Sequence, residues 1–406
     1  MFHIPPHQKL KIGFISDLSG VYRIAAEEQK NGVMLALDEM VRGGGFARDS
    51  FSVIVKDSEI NPDVTRLRTK ELIEKDRVDI LIGGLTASLH ITINDETKKA
   101  GIPFMSIGQV HELTTSDYLG PYTFHQAYTP YMIGQAMGKW ISENIGKKWF
   151  LFFTDYMWGW RVHDSYIAVA KRTGSEIVGY KRIPFPVKNE SEYTKHFAEV
   201  LDSHADILIG NNFGADQVKF IQDVGRARLK RHVSVAVTLA EGTTFSVIDP
   251  DVAAGMYWGT TFYWGLEKMY DTARTFVSGY RKKFRDVPGA YAAYGYSAAH
   301  ELVGAVLRIG KYPIQPDAVA RELEGRSYAH YKSGEWWRPC DHQALQDFYI
   351  LKVKGTEERT GKQDVAEIIG STQWDLKTER TCEILGQSDR QWGHVILPRE
   401  NTRRSA

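Results

Sequence analysis

Residues able to do chemistry in this 406-residue chain gather just after short apolar runs. Ser19, Tyr22 and Arg23 follow the first run, Thr86 and Ser88 the run DILIGG, and Gln109 the run at 103–107. Asp155, Tyr156 and Trp158 follow WFLFF; Asn211, Asn212 and Phe213 follow a second DILIG; Glu241 follows the run at 233–237. A few hydrogen-bonding groups set among aromatics suit a mostly apolar cleft that fixes a small ligand by convergent polar contacts. Trp158 and Phe213 would stack on a flat or aliphatic body, while hydroxyls, amides and helix N-terminal N–H groups would hold a carboxylate or carbonyl. An aromatic acid or amide and a branched-chain amino acid both fit. Each residue also has a plain structural use: Thr86 and Ser88 can cap a helix, Glu241 can form a hinge salt bridge, and loop aromatics can cover sheet ends.

Catalytic signatures are missing. The sequence has no phosphate-binding GxxxxGK[ST], no HExxH and no GxSxG; GYSAA at 295–299 lacks the second glycine. Gly43-Gly44-Gly45 and Gly83-Gly84 fail dinucleotide spacing, so no cofactor is expected. Asp341-His342 beside Cys340 lacks a third ligand and reads as a hydrogen-bonded turn. Asp57 with Glu59, and Glu27 with Glu28, read as solvent-facing or helix-capping carboxylates.

A net charge of +1 provides no field to recruit nucleic acid or an anionic membrane. No run approaches the roughly 18 apolar residues of a membrane span. The opening MFHIPPHQKLKIGF has no basic stretch followed by an apolar one, so either the chain is cytoplasmic or a leader has been removed. Two cysteines, Cys340 and Cys382, could pair only in an oxidising compartment.

The elements that must position these loops alternate strand and helix. Strands are expected at 10–15, 51–56, 79–83 and 103–107, with helices at 25–42, 62–75 and 88–100 between them. After a turn-rich segment at 115–130 a second series begins. Its helices fall at 130–145, 160–173, 191–202 (Ser191 as cap) and 214–227, and its strands at 149–153, 176–181, 206–209 and 233–237. An aromatic strand at 255–265 precedes helices at 269–285, 290–310 and 316–324, a strand at 345–355, and a polar tail from 370. The pattern predicts an α/β protein of two doubly wound parallel-sheet lobes joined by three crossover segments. Lobe 1 is expected from 9–126 plus 262–333, lobe 2 from 127–261 plus 334–406.

Several stretches together resemble a known family: Leu18-Ser19-Gly20, Asn31-Gly32 with Ala36 and Glu39, Asp79 to Gly84, Asp155 to Gly159, Ala205 to Gly210, Glu241-Gly242, and Asp341-His342-Gln343. Over about 9–355 the chain is similar to the type I periplasmic substrate-binding proteins, in the leucine/isoleucine/valine-binding branch that serves ABC importers. The resemblance implies a two-lobed clamp closing on one small ligand, a membrane permease as partner, a periplasmic location and a monomer. Backbone and hydroxyl groups that hold the ligand's carboxylate in such proteins fall here at Leu85, Thr86, Ala87 and Ser88, and at Ile107, Gly108 and Gln109. Cleft aromatics match Trp158 and Phe213, and the acid that meets an ammonium matches Glu241. The family's carboxylate serine falls at Ala87, and its first-loop aromatic near Ala25, where Tyr22 or Arg23 reaches the same space. A cytoplasmic amide-sensing regulator of the same fold and a two-lobed enzyme are the competing readings.

Overall fold

Strands that carry apolar residues without alternation need cover on both faces, and the fold provides it with helices. The structure, a computed structural model, describes residues 9–43, 50–110, 112–114 and 118–372. In the first half, β1 (Leu10–Ser16), β2 (Phe51–Asp57), β3 (Ile80–Gly83), β4 (Phe104–Ser106) and β5 (Thr123–His125) form a parallel sheet of order β2-β1-β3-β4-β5. Helices α1 (Arg23–Arg42), α2 (Pro62–Lys70) and α3 (Ala87–Ala100) connect them. Asn61 caps α2 through its side chain, with Pro62 at the first helical position; the last turn of the expected 62–75 helix is a π turn, Glu71–Lys75.

The second half holds β6 (Lys148–Thr154), β7 (Glu176–Ile183), β8 (Ile207–Asn211), β9 (Ser234–Val237) and β10 (Tyr257–Thr260), with α4 (Pro130–Asn144), α5 (Met157–Thr173), α6 (Phe197–Asp202), α7 (Gly214–Arg226) and the short α8 (Gly242–Ser246) and α9 (Pro250–Ala253). Then α10 (Asp271–Phe284), α11 (Ala290–Ile309) and α12 (Pro316–Leu323) follow. A small antiparallel sheet comes next, β11 (Ser327–Tyr328), β12 (Glu335–Trp337) and β13 (Ala344–Leu345). The chain then adds β14 (Phe348–Val353) antiparallel to β10, and β15 (Ala366–Thr372) antiparallel to β14, at the edge of the second sheet, whose order is β15-β14-β10-β9-β8-β6-β7.

The α/β fold of two parallel-sheet halves is as expected, and the differences are local. The helix expected at 191–202 is helical only from Phe197, after turns and a single 3-10 turn, and the Ser191 carbonyl accepts from Lys195 instead of its side chain capping. The aromatic strand expected at 255–265 ends at Thr260, because its continuation leaves the sheet and winds into a 3-10 turn at Trp264–Lys268. The turn-rich 115–130 conceals β5, whose three residues are too few to show a period. Cys340 is buried and disulfide-bonded; Cys382 and most of the tail expected from 370 lie outside the described residues.

Helix α11 returns to the first half and packs on α1 with almost no gap. A Cβ on Gly32 would stand 2.0 Å from the Ala292 carbonyl oxygen, and one on Gly295 would stand 2.0 Å from that of Gln29, so reciprocal glycines let the two backbones touch. That contact holds Glu28 and Gln29 close against α11.

The chain passes between the halves three times, and a buried polar cluster ties the crossings. Lys332 Nζ, fully enclosed, donates to the Thr261 carbonyl at 2.8 Å, to Gln346 Oε1 at 2.7 Å and to the Asp347 carbonyl at 3.1 Å, with Glu335 at 3.6 Å. Gln126, from the first crossing, donates to Glu335 Oε2 at 3.4 Å and accepts from Tyr328 at 3.0 Å, while its carbonyl receives Gln346 Nε2 at 2.6 Å. Burial pulls the Lys332 ammonium down to about 8 and pushes the Glu335 carboxyl up to about 7, so neither charge is held cheaply. Lys332→Met should lower the unfolding free energy by about 3–5 kcal/mol by stranding its acceptors. Lys332→Met/Glu335→Leu should cost less than the single change, both read by urea denaturation.

Candidate functional site

Loops at the carboxyl ends of both sheets face each other across a seam, where parallel sheets offer ligand sites. In each half a buried glutamine on a helix that follows a strand of the sheet, α1 after β1 and α7 after β8, holds two of these loops. Gln29 on α1 donates to the Gly84 carbonyl at 3.0 Å and the Ile107 carbonyl at 2.8 Å, and its Oε1 accepts from Ser16 at 2.6 Å. Gln217 on α7 donates to the carbonyls of Asn212 at 2.8 Å and Leu239 at 2.7 Å, and its Oε1 accepts from Thr244 at 3.2 Å. A primary amide suits this place, since it offers two donors and an acceptor without charge. Asp17, buried below the first loops, accepts from Ser58 and from the Thr86 amide, and its burial raises its pKa.

The loops enclose a cavity of about 260 Å³. Of the residues singled out from sequence, Tyr22, Leu85, Thr86, Ala87, Ser88, Gln109, Tyr156, Trp158 and Phe213 line it. Ile107 and Gly108 do not: they lie behind Gln109, with the Ile107 carbonyl on Gln29 and the Gly108 carbonyl 2.7 Å from His125 Nε2. Glu241 does not line it either; its Oε2 accepts the Ala290 amide of α11 at 3.0 Å, in a different cavity. Arg23, the alternative to Tyr22, is exposed and pairs with Glu27 at 2.9 Å. Asp155 faces Trp160 and Arg182 at the surface.

Sequence reasoning left out Ile60, Met157, Phe185, Leu239 and Tyr291, which also line the cavity. Tyr291 alone had a readable signal, an aromatic two residues after Gly289 at the start of an apolar helix. Its hydroxyl donates to Gln109 Oε1 at 3.0 Å, which leaves Gln109 Nε2 buried without an acceptor. Ala87 and Ser88 are the first two residues of α3, whose amides have no intrahelical acceptor. The walls are aromatic: Phe213 stands 5.8 Å from Tyr22 and 6.2 Å from Tyr291, and Tyr156 is stacked 6.2 Å from Trp158 and tilted 4.7 Å from Phe185. Burial pushes the Tyr22 hydroxyl up to about 12 and that of Tyr156 well above its ordinary value, so both stay neutral. Behind the cavity His90, bonded to Ser106 at 2.8 Å, is held down to about 3 by burial and by neighbouring His125.

The halves also touch at the rim, where Arg161 Nε donates to Glu112 Oε1 at 3.0 Å. His342, in the turn with Asp341, is buried between the Thr123 carbonyl at 2.9 Å and Glu324 at 3.0 Å, a structural arrangement. Among the described residues no group of three His, Cys, Asp or Glu side chains could hold a metal ion, and no helix is long and apolar enough to cross a membrane.

A sequence profile described as periplasmic binding protein matches residues 9–361. The chain is similar to Leu/Ile/Val-binding protein homolog 7 of Brucella abortus, 21% identical over 327 residues that cover 75% of this chain and 78% of that protein. In structure it is similar to an amino acid ABC transporter substrate-binding protein from Pseudomonas fluorescens, with a TM-score of 0.82, 20% identity, and 91% and 96% of the two chains covered. A solute-binding protein of an ABC transporter from R. palustris, solved in complex with benzoate, superposes with a TM-score of 0.76 at 20% identity, covering 90% of this chain and 96% of that one.

Gln29→Met keeps the volume of the side chain but strands the Gly84 and Ile107 carbonyls. It should cost at least about 2 kcal/mol of stability, measured by chemical denaturation, from the loss of buried hydrogen bonds.

Proposed function

The chain belongs to the periplasmic binding protein family, and on that premise we propose that it is the solute-binding component of an ABC importer whose ligand is a small aromatic acid. The lobes are read as 9–126 with 262–333 and 127–261 with 334–406. Ligand capture shuts them: Tyr22, the 85–88 loop, Gln109 and Tyr291 meet the ligand from one side, and Tyr156, Trp158, Phe185 and Phe213 from the other. A ligand touching both sets only in the shut form draws the population toward that form by its differential affinity. The loaded protein then delivers its solute, chemically unchanged, to a membrane permease on the periplasmic side.

One observation carries the choice of ligand. No residue lining the cavity bears a full charge, and six are aromatic: Tyr22, Tyr156, Trp158, Phe185, Phe213 and Tyr291. The ammonium of an α-amino acid would be desolvated there without a carboxylate, which is costly. A carboxylate has donors waiting in the amides of Ala87 and Ser88, the Ser88 hydroxyl and Gln109 Nε2. A flat ring suits the facing aromatic walls.

Benzoate should raise the melting temperature in a concentration-dependent way, while leucine at equal concentration should not. The reverse order would sink the aromatic-acid assignment. Gln109→Leu should weaken benzoate binding by roughly tenfold or more, the usual value of a hydrogen bond to a charged group, and Trp158→Ala by about a similar factor through lost ring contact, both read by calorimetry.

A further inference from the structure

A second cavity, of about 190 Å³, lies on the seam and takes its acidic residues from both halves. Glu28 on α1 and Asp286 before α11 come from one side, and Glu241 after β9 comes from the other. Glu241 is 7% exposed, and its Oε1 is buried with no hydrogen-bond partner; Glu28 is partly buried, and its Oε2 is likewise shielded and unpartnered. Both carboxyls converge on Gly289. A Cβ there would stand 2.5 Å from Glu28 Oε2 and 2.6 Å from Glu241 Oε2. The two oxygens therefore lie within about 5 Å of each other, the range in which like charges suppress one another's ionisation.

Among the described residues no buried cation is paired with them. The groups acting on Glu28 are Asp286, Tyr280 and Glu241; those acting on Glu241 are Glu28, Tyr291 and Tyr294. Lys362 lines the same cavity but is exposed to solvent. The N-terminus of α11 helps a negative charge, through the Ala290 amide on Glu241 and the Ala292 amide beside Glu28. One helix end beside two enclosed carboxyls favours a single negative charge over two.

We propose that Glu28 and Glu241 share a proton across the seam, so that shutting the clamp takes up a proton from solution and alkaline pH holds the halves apart. This rests on the clamp reading above, not on the choice of ligand. When the halves part, the carboxyls separate, regain water and ionise as ordinary glutamates. Burial, with Asp286 adding, pushes the Glu28 carboxyl in the shut form up to about 8, and burial with Glu28 beside it pushes Glu241 well above its ordinary value. The shut form therefore binds the extra proton, and raising the pH from the ordinary glutamate range up to about 8 favours the parted form. Glu28 does not line the aromatic cavity; it acts on closure through Glu241.

The test needs no ligand. Glu112→Cys/Arg161→Cys, at the rim contact, is bridged with a short bis-thiosulfonate reagent in the full chain, with and without Glu28→Gln/Glu241→Gln, from about pH 6 to about 9.5. Taking the ratio of bridging rates in the two backgrounds cancels the ionisation of the introduced thiols. With both glutamates present the relative rate should fall by up to about tenfold per pH unit as the pH rises toward about 8, where the shut form keeps a proton that the parted form has lost, and should level off above about 8. A ratio that is constant across the range overturns the proposal, as does an absence of bridging in both backgrounds. If the double variant fails to fold by circular dichroism, the two single variants serve, each removing part of the pH dependence. Benzoate failing to bind would end the ligand assignment and leave this result standing, so the two outcomes are separable.

Discussion

Lys332 is a charged ammonium sealed from water, and it is held only because acceptors from two separate passages of the chain reach it. The Thr261 carbonyl arrives from the second crossing, and the Gln346 side chain and Asp347 carbonyl from the third. Gln126, from the first, completes the set through Glu335 and Gln346. A buried ion pair of this kind adds little net stability against an apolar alternative, but it fixes which groups must be adjacent. Its use here is geometric: three strands of chain that could slide past one another are pinned at one point. Any motion of the halves must then bend the chain on either side of that point and leave it intact.

With the crossings pinned, each half needs its own means of presenting loops, and both use the same one. Gln29 and Gln217 stand on the helices that follow β1 and β8, and each donates to the carbonyls of two loops at neighbouring strand ends. Loops usually lie in water because their backbone groups need partners. The glutamine amides provide those partners in a dry place, so the loops can be buried against a ligand cavity without orphaned carbonyls. The cavity walls can then be almost wholly apolar and aromatic. The same desolvation that suits a ring in one cavity penalises paired carboxyls in the next, which is why Glu28 and Glu241 belong to the energetics of the seam.

Much of this was legible beforehand, for reasons that particular elements make plain. β1, β3 and β8 are read correctly because a strand covered on both faces must be continuously apolar, and the helices between them keep a 3.6-residue period. Tyr22, Thr86, Ser88, Gln109, Trp158 and Phe213 are found at the cavity because parallel sheets put their loops there. The short β5 and the late onset of α6 escape because three residues show no period and a turn of polar residues resembles a capped helix. Glu241 follows a strand just as Phe213 does, yet a single amide, that of Ala290, draws it into another cavity.

What the sequence determined by itself, then, is the alternation of strand and helix, the existence of two halves, and the set of loops from which a site could be made. These follow from local periodicity and from the burial rules of parallel sheets, which act within a few tens of residues. Tertiary structure alone decided which of those loops share a cavity, that Tyr291 and Phe185 join them, that Lys332 and the two glutamines are buried, and that Glu28 meets Glu241. Each of these depends on contacts between residues far apart in the chain, and the free energy of burying a polar group is set by the neighbours it meets there, which no stretch of sequence contains.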